Sequence, residues 1–407
     1  MSPHKKLTET ARFINQSLIN SDGLYSSVPS GRRTLYGTCY SVLTLNYLDN
    51  TYEPSNSTRT FIQSCQMPSG EFIGPELLNF FPSHQDKHDR EHLIFHLTCL
   101  ALATCIQFNI PVPYKLTFIY PFCDLIYLNQ WLTKRDFSDA WFEGNNLLFV
   151  GELLVYLRDH EEKLDANFSL DYWFSWLDEK IDGKTGLWGT DGLCSKSNAV
   201  YGGYHQLLVY YYENHKITNP SSLVDIVLSL QHLDGSFSQS GNGGACEDVD
   251  CVDILVNMYK KFDYRRKEIR FALKRCMKHI LRMQNSDGGF PYNRNQFQSH
   301  MNIPATRADE NMSTAFATWF RFHALSLIAQ VLPDEYIYEG VSLGFSNSLS
   351  MGWHNPWDQS IARQYIGKNE KIEFLIKNSL LRQSQTMIQV KQKMIRSVSR
   401  LLRLIRK

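Results

Sequence analysis

Five short segments of this chain repeat one another, and that repetition limits its possible folds more than any other feature. Each joins an apolar stretch to a loop with Asp, Ser or Thr before a glycine, and then an aromatic residue. The copies run Leu18 to Tyr25, Cys65 to Phe72, Asp182 to Trp188, Leu230 to Phe237 and Met283 to Phe290. Their glycines, at 23, 70, 186, 235 and 288, are spaced 47, 116, 49 and 53 residues apart. The long gap is about two units, and Asp139 to Asn146, around Gly144, reads as a degenerate copy within it. A weak last copy is Ser350 to Trp353. Units of this length are supersecondary modules that bury their apolar faces only by stacking on neighbours.

Each unit has room for two helices and two loops. Tyr36 to Leu48, His92 to Ile106, Tyr204 to Glu213, Val252 to Tyr259 and Thr314 to Leu327 are apolar on nearly every face, the pattern of helices buried on all sides. Segments preceding the loops, such as Phe262 to Met283 with its Lys and Arg, are amphipathic. Alternating buried and half-exposed helices predict an inner ring within an outer ring: an all-α, (α/α)6-like toroid of repeated helical hairpins. A linear solenoid is the competing architecture, but it does not require every second helix to be so apolar. The toroid is expected over residues 1–380, with a separate basic helix over 381–407.

Composition narrows function. The 407 residues are 43% hydrophobic, too apolar for disorder. With 42 basic against 41 acidic residues, no excess cation is available to neutralise phosphates, which argues against nucleic-acid binding. No signal peptide or membrane span is visible. Nine scattered cysteines without a CxxC pair read as reduced thiols. Together these predict a cytoplasmic protein, with peripheral membrane attachment left open by the C-terminus.

The most concentrated chemistry is Cys246-Glu247-Asp248-Val249-Asp250-Cys251-Val252-Asp253. Acids in a first helical turn are good caps, stabilising by about 0.3–1 kcal/mol each. One or two would be explained that way; four in seven residues are over-supplied. Crowded carboxylates raise one another's pKa, so one can stay protonated and act as an acid.

The Gln-x(2–3)-Asp-Gly-(Gly/Ser)-Phe loops, Gln231 to Phe237 and Gln284 to Phe290, resemble the glutamine/aromatic repeats of the terpenoid cyclase and protein prenyltransferase superfamily, an (α/α)6 barrel. That resemblance implies that the loops deliver the chain to one mouth, where Tyr36, Cys39, Tyr40, His88, His92, Tyr204, His205, Glu247, Asp248, Asp250, Asp253, Asp309, Glu310 and Trp319 would gather. The Asp248-Val-Asp250-Cys251 run resembles the Asp-x-Asp-Asp acid motif of class II terpene cyclases and the Asp-Cys pair of oxidosqualene cyclases. By that resemblance Asp250 would protonate an alkene or epoxide, Asp248 would hold the first Asp position, and Cys251 would hydrogen-bond the acid. Val252-Asp253 departs from the motif's usual Thr-Ala, and class II cyclases usually place their site between two barrels where this chain has one. The prenyltransferase zinc set, an Asp-x-Cys pair and a distant His, has no match; Cys246, Asp250 and His205 are the nearest substitutes.

Other features are weaker. His205, in Gly202-Gly-Tyr-His-Gln, is either a polar cap or an acid/base partner of the acid cluster. His88-Asp-Arg-Glu91-His92 matches the inverted metalloprotease signature, though no third ligand is identifiable and five-residue motifs arise by chance. Arg282, Arg294, Arg307 and Arg321 would make a phosphate clamp only if they reached the mouth. Trp188, Phe237, Phe290 and Trp319 are more often packing than ligand platforms. The segment 389–407 holds seven cations and no acid, with apolar residues at helical spacing. It suits an anionic membrane surface or a partner groove, or else a last outer helix on the barrel.

The expectation is therefore an isoprenoid cyclase-like enzyme, of the class II isomerase or lyase type. Asp250 would be its acid, with Asp248, Glu247, Asp253 and His205 around it, and Tyr36, Tyr40, Trp188, Tyr204 and Trp319 would contact an apolar or isoprenoid substrate. No cofactor is required, and a divalent metal stays open. Carbohydrate chemistry on a toroid (lyase, epimerase or hydrolase) and a non-catalytic binding toroid are the alternatives.

Overall fold

The computed structural model describes residues 3–335 apart from 85 and 239, with side chains from residue 8 onward. The repeat copy at Ser350–Trp353 and the basic segment 389–407 lie outside the described residues. Thirteen α-helices follow in chain order: α1 Pro3–Phe13, α2 Leu35–Leu48, α3 Asn56–Ser64, α4 Pro75–Phe80, α5 Lys87–Gln107, α6 Leu125–Leu132, α7 Ala140–His160, α8 Asp165–Lys180, α9 Lys196–Tyr212, α10 Pro220–Ser229, α11 Ala245–Lys261, α12 Arg266–Met283 and α13 Ala315–Ala329. Among the described residues only isolated β-bridges occur in the loops.

Helices α2, α5, α7, α9, α11 and α13 pack each on the next, and α13 returns onto α2. The ring is closed, and the linear solenoid is excluded. The all-round apolar segments are these inner helices. Thr34, Asp86, Asp139, Ser195 and Thr314 cap five of them, each accepting a backbone N–H. The six inner helices are complete by residue 329, without the copy at 350–353.

The repeat acts by tying a loop to its neighbours. Gln66, Gln231 and Gln284 each donate to the carbonyl of the repeat glycine four residues on, at 3.0, 3.0 and 2.9 Å. The same amides reach the next unit at Tyr114 O, Ala272 O and Thr10 Oγ1. Those glycines have φ near +100°; a Cβ on Gly288 would sit 2.1 Å from Glu9 O. Only glycine supplies both that backbone and that approach.

One expected copy is displaced. Before α7 the turn is Asp136-Phe137, with no glycine, and Gly144 lies inside α7. There it meets Gly202 of α9, and a Cβ on Gly202 would lie 2.1 Å from Ala140 O. Gly202→Ala should cost about 1–3 kcal/mol through overpacking, read as a lower urea midpoint with an unchanged m-value.

Candidate active site

The N-terminal ends of the inner helices surround a cavity of about 470 Å³. Helix α5 contributes His92 and His96, α7 Trp141, Phe142 and Asn145, α9 His205, α11 Cys246 and Asp250, and α13 Phe316 and Phe320. The connection from α12 to α13 supplies Tyr292, Gln298, Ser299, His300 and Met301. Tyr36 and Tyr40 of α2 border a small adjoining recess that shares Gln298, His300 and Phe316. The described lining is largely aromatic and includes no lysine or arginine.

Asp250 sits six residues into α11 and is 1% exposed. Its Oδ2 is buried without a hydrogen-bond partner. Burial pushes this carboxyl well above the carboxylate range, and Glu247, Asp253 and Asp248 push it further. Its environment therefore favours the neutral acid, on the cavity wall.

The other acids of the cluster diverge from it. Asp248 Oδ1 accepts the Phe237 amide at 2.9 Å, and Oδ2 accepts from the fully buried Arg321. In sister units Thr98 and Thr318 accept the amides of Phe72 and Phe290 at the same place. Asp248 is thus the loop tie of its repeat, and burial raises it to about 6 against the opposing Arg321 charge. Glu247, half-buried, accepts from Tyr292 Oη at 2.8 Å. Asp253, one turn beyond Asp250, lies outside the cavity lining and accepts from Asn257 Nδ2 at 3.0 Å. Cys251 is buried and off the lining; the thiol that shares the cavity with Asp250 is Cys246.

Burial raises Asp253 to about 7, against about 3.9 in an unfolded chain. A group whose pKa is raised on folding lends stability that is full below the unfolded value and is lost as pH climbs through the folded one. Asp253→Asn should flatten the fall in melting temperature between about pH 5 and pH 8, measured against wild type in the same buffers.

The same cavity carries four neutral imidazoles. Burial lowers His92 to about 4, His205 and His300 to about 3, and His96 well below its usual value. His92 Nδ1 pairs with Asn146 Oδ1 at 2.9 Å, and His205 Nδ1 donates to Tyr201 O at 2.7 Å. Each therefore keeps an Nε2 lone pair. His96 Nδ1 lies 2.9 Å from Tyr36 Oη and 3.1 Å from His300 Nε2. His205 does not open its helix: α9 begins at Lys196, and its polar first turns gave no apolar periodicity to extend the segment backwards.

Several expected mouth residues are placed elsewhere. Trp188 is sealed behind α9 with Nε1 donating to Leu177 O, and Trp319 stacks on His323 inside the ring. Tyr204 is fully buried beside His205 and does not line the cavity. Phe237 and Phe290 are core residues. Asp309, Glu310 and Arg307 are exposed. Arg282 and Arg294 donate to backbone carbonyls, and Arg321 is committed to Asp248, so no arginine clamp forms among the described residues. Of the His88–His92 motif, His88 faces Glu143 at 3.7 Å while Glu91 accepts from Trp131 Nε1; the three do not converge. Cys246, Asp250 and His205 do share the cavity. Yet no three His, Cys, Asp or Glu among the described residues are grouped to hold a metal ion, and burial and the neighbouring acids keep the Cys246 thiol protonated. The donor set does not fit a zinc site of the prenyltransferase kind.

A family model described as the prenyltransferase alpha-alpha toroid domain matches residues 3–117 and 147–302. The chain belongs to that toroid family. The matched segments carry α1 to α5 and most of α7 to α12, including the acid cluster, and the family's toroid agrees with the closed ring. No curated protein matches the chain. Among the described residues no helix is long and apolar enough to cross a membrane.

Proposed function

We propose that this toroid is an isoprenoid cyclase-like enzyme in which Asp250 protonates an alkene or epoxide of an apolar guest. The observation that carries the reading is the buried, unpartnered Oδ2 of Asp250 on an aromatic-walled cavity. A protonated carboxyl of this kind has a proton to give and no competing acceptor. The rings of Trp141, Phe142, Phe316 and Phe320 present π faces to the cation that protonation creates. His205, its Nε2 unprotonated, takes a proton back from that cation. With no described lysine or arginine on the wall, a neutral polyprene suits the cavity better than a diphosphate.

The four imidazoles and Tyr36 favour one second reading, proton transfer on a sugar by an epimerase- or lyase-type toroid enzyme. The segment 389–407, basic and amphipathic in sequence, would hold a cytoplasmic enzyme against an anionic leaflet where polyprenes dissolve. Sedimentation with phosphatidylserine vesicles should fall to background when the chain is truncated after residue 388.

Function is tested by incubating the purified protein with squalene, an epoxidised polyprene, polyprenyl diphosphates and an oligosaccharide panel, followed by mass spectrometry. A cyclised product from a neutral polyprene is expected. Turnover of a glycan alone would transfer the site to the second reading, and no product from folded protein would leave a binding toroid.

A further inference from the structure

An acid that spends its proton has to be reloaded, and an apolar guest filling the mouth separates Asp250 from the solvent there. Helix α11 offers another way out. It runs from the cavity to the far end of the barrel between α9 and α13, buried for most of its length, yet one face is polar throughout. Asp250, Asp253, Asn257 and Lys260 follow one another at steps of three, four and three residues, the spacing that stacks side chains along one side of a helix. Asn257 Nδ2 holds Asp253 Oδ1 at 3.0 Å. Lys260 emerges at the exposed end, where Nζ donates to Gln330 Oε1 at 2.7 Å.

Two atoms on this face lack partners although they are buried: Asp250 Oδ2 and Asn257 Oδ1. The flanking helices add Gln206 of α9, with both amide atoms in the same state, and Ser326 Oγ of α13. Buried polar atoms without protein partners are the usual seats of internal water. Lys260 acts electrostatically on Asp253, and Asp253 in turn acts on Tyr204 and Tyr211 of α9, Tyr47 of α2 and Asp250 of its own helix. Only Lys260 among them is cationic.

We propose that Asp253 is a proton-relay residue that recharges Asp250 from solvent at the closed end of the barrel, along the Asp250–Asp253–Asn257–Lys260 face of α11. This rests on Asp250 acting as the acid. After Asp250 has given its proton to the guest, the Asp253 carboxyl gives its own to the Asp250 carboxylate. Asp253 is then reprotonated by solvent water entering past Lys260. The proton later shed by the product leaves by the mouth, so the cycle is neutral in protons. Asp253 touches no substrate.

The test reads hydrogen–deuterium exchange at the Asp250 carboxyl by rapid-mixing infrared spectroscopy, with its C=O band assigned from the wild-type minus Asp250→Asn difference. The cavity is filled with squalane, a saturated polyprene that cannot be protonated, and filling is followed by Trp141 fluorescence. Exchange should persist in filled wild-type protein, slow at least tenfold in Asp253→Asn, and recover in Asp253→Glu. Asp309→Asn, an exposed substitution outside α11, should leave it unchanged. Wild-type exchange rates in Asp253→Asn, or equal slowing in Asp309→Asn, would overturn the relay and leave Asp250 as the acid. Absence of the protonated band, or failure of squalane to enter, would overturn the acid reading itself and the relay with it.

Discussion

Asp250→Asn should abolish cyclised product while leaving the protein at least as stable as wild type. The substitution keeps the shape of the side chain and removes only its acidity. General acid catalysis by a positioned side chain contributes about 10²–10⁴-fold, and Asp250 is the one buried, unpartnered carboxyl among the described lining residues, so the loss belongs at the upper end. Stability runs the other way. The carboxyl is 1% exposed and Oδ2 has no partner, so ionising it costs free energy that a neutral amide does not. Asp250→Asn should therefore exceed wild type in melting temperature from about pH 5 upward, by a margin that widens with pH, because the wild-type carboxyl loses stability as pH rises above the unfolded value of about 3.9. Asp250→Glu, still an acid but about one methylene longer, should retain measurable product. A mutant that loses both activity and its thermal transition would reduce Asp250 to a packing residue.

The end of the barrel at which Asp250 sits was legible from sequence, because the repeat places every loop at the same end and α11 follows its loop after a few residues; whether its side chain faces the cavity was not. Four acids within seven residues could not all be caps, yet spacing alone could not sort them. Asp248 reads as the equal of Asp250 until the sister units show Thr98 and Thr318 doing its work on the loop amide. Trp188 and Trp319 were ambiguous for a related reason: a large aromatic next to a repeat loop packs inward or lines the mouth according to about half a turn of helix.

The connection between α12 and α13 was missed altogether. It brings His300 to within 3.1 Å of His96 and adds Gln298, Ser299 and Met301 to the wall. A signal did exist. From Gly288 to Ala315 the chain takes 27 positions, where Gly235 to Ala245 takes 10. Long connections without regular structure are usually functional in compact domains. Their path is not periodic, though: Asn295, Met301, Asn302 and Asn311 all adopt positive φ, and no hydrophobic pattern reports such turns. His96 escaped notice for a different reason: it reads as a member of an apolar helix, and only closure of the ring brings it to the cavity that Asp250 lines.

Arg321→Met should be the most damaging substitution outside the acid itself. Arg321 is buried to 0% in the middle of α13. One nitrogen serves Asp248, and the other donates to Gly243 O at 2.9 Å and Tyr292 O at 2.8 Å. Gly243 lies in the loop that enters α11, and Tyr292 begins the connection that carries His300. A single guanidinium thus pins both backbone segments flanking Asp250 and Cys246. Removing it leaves the Asp248 carboxylate buried beside two unpaired carbonyls, a loss of about 3–5 kcal/mol, seen as a lower denaturation midpoint. Lys in its place should recover only part of this, since an ammonium cannot reproduce the planar fork that reaches three acceptors. The informative variant is the pair Arg321→Met with Asp248→Leu. Replacing a buried ion pair by apolar groups of similar volume is often close to neutral, so the double mutant should regain most of the stability. It should still fail to position Asp250, because the Phe237 amide and the two carbonyls stay unbound. Stability restored with activity still lost would separate holding the barrel together from holding the acid in place.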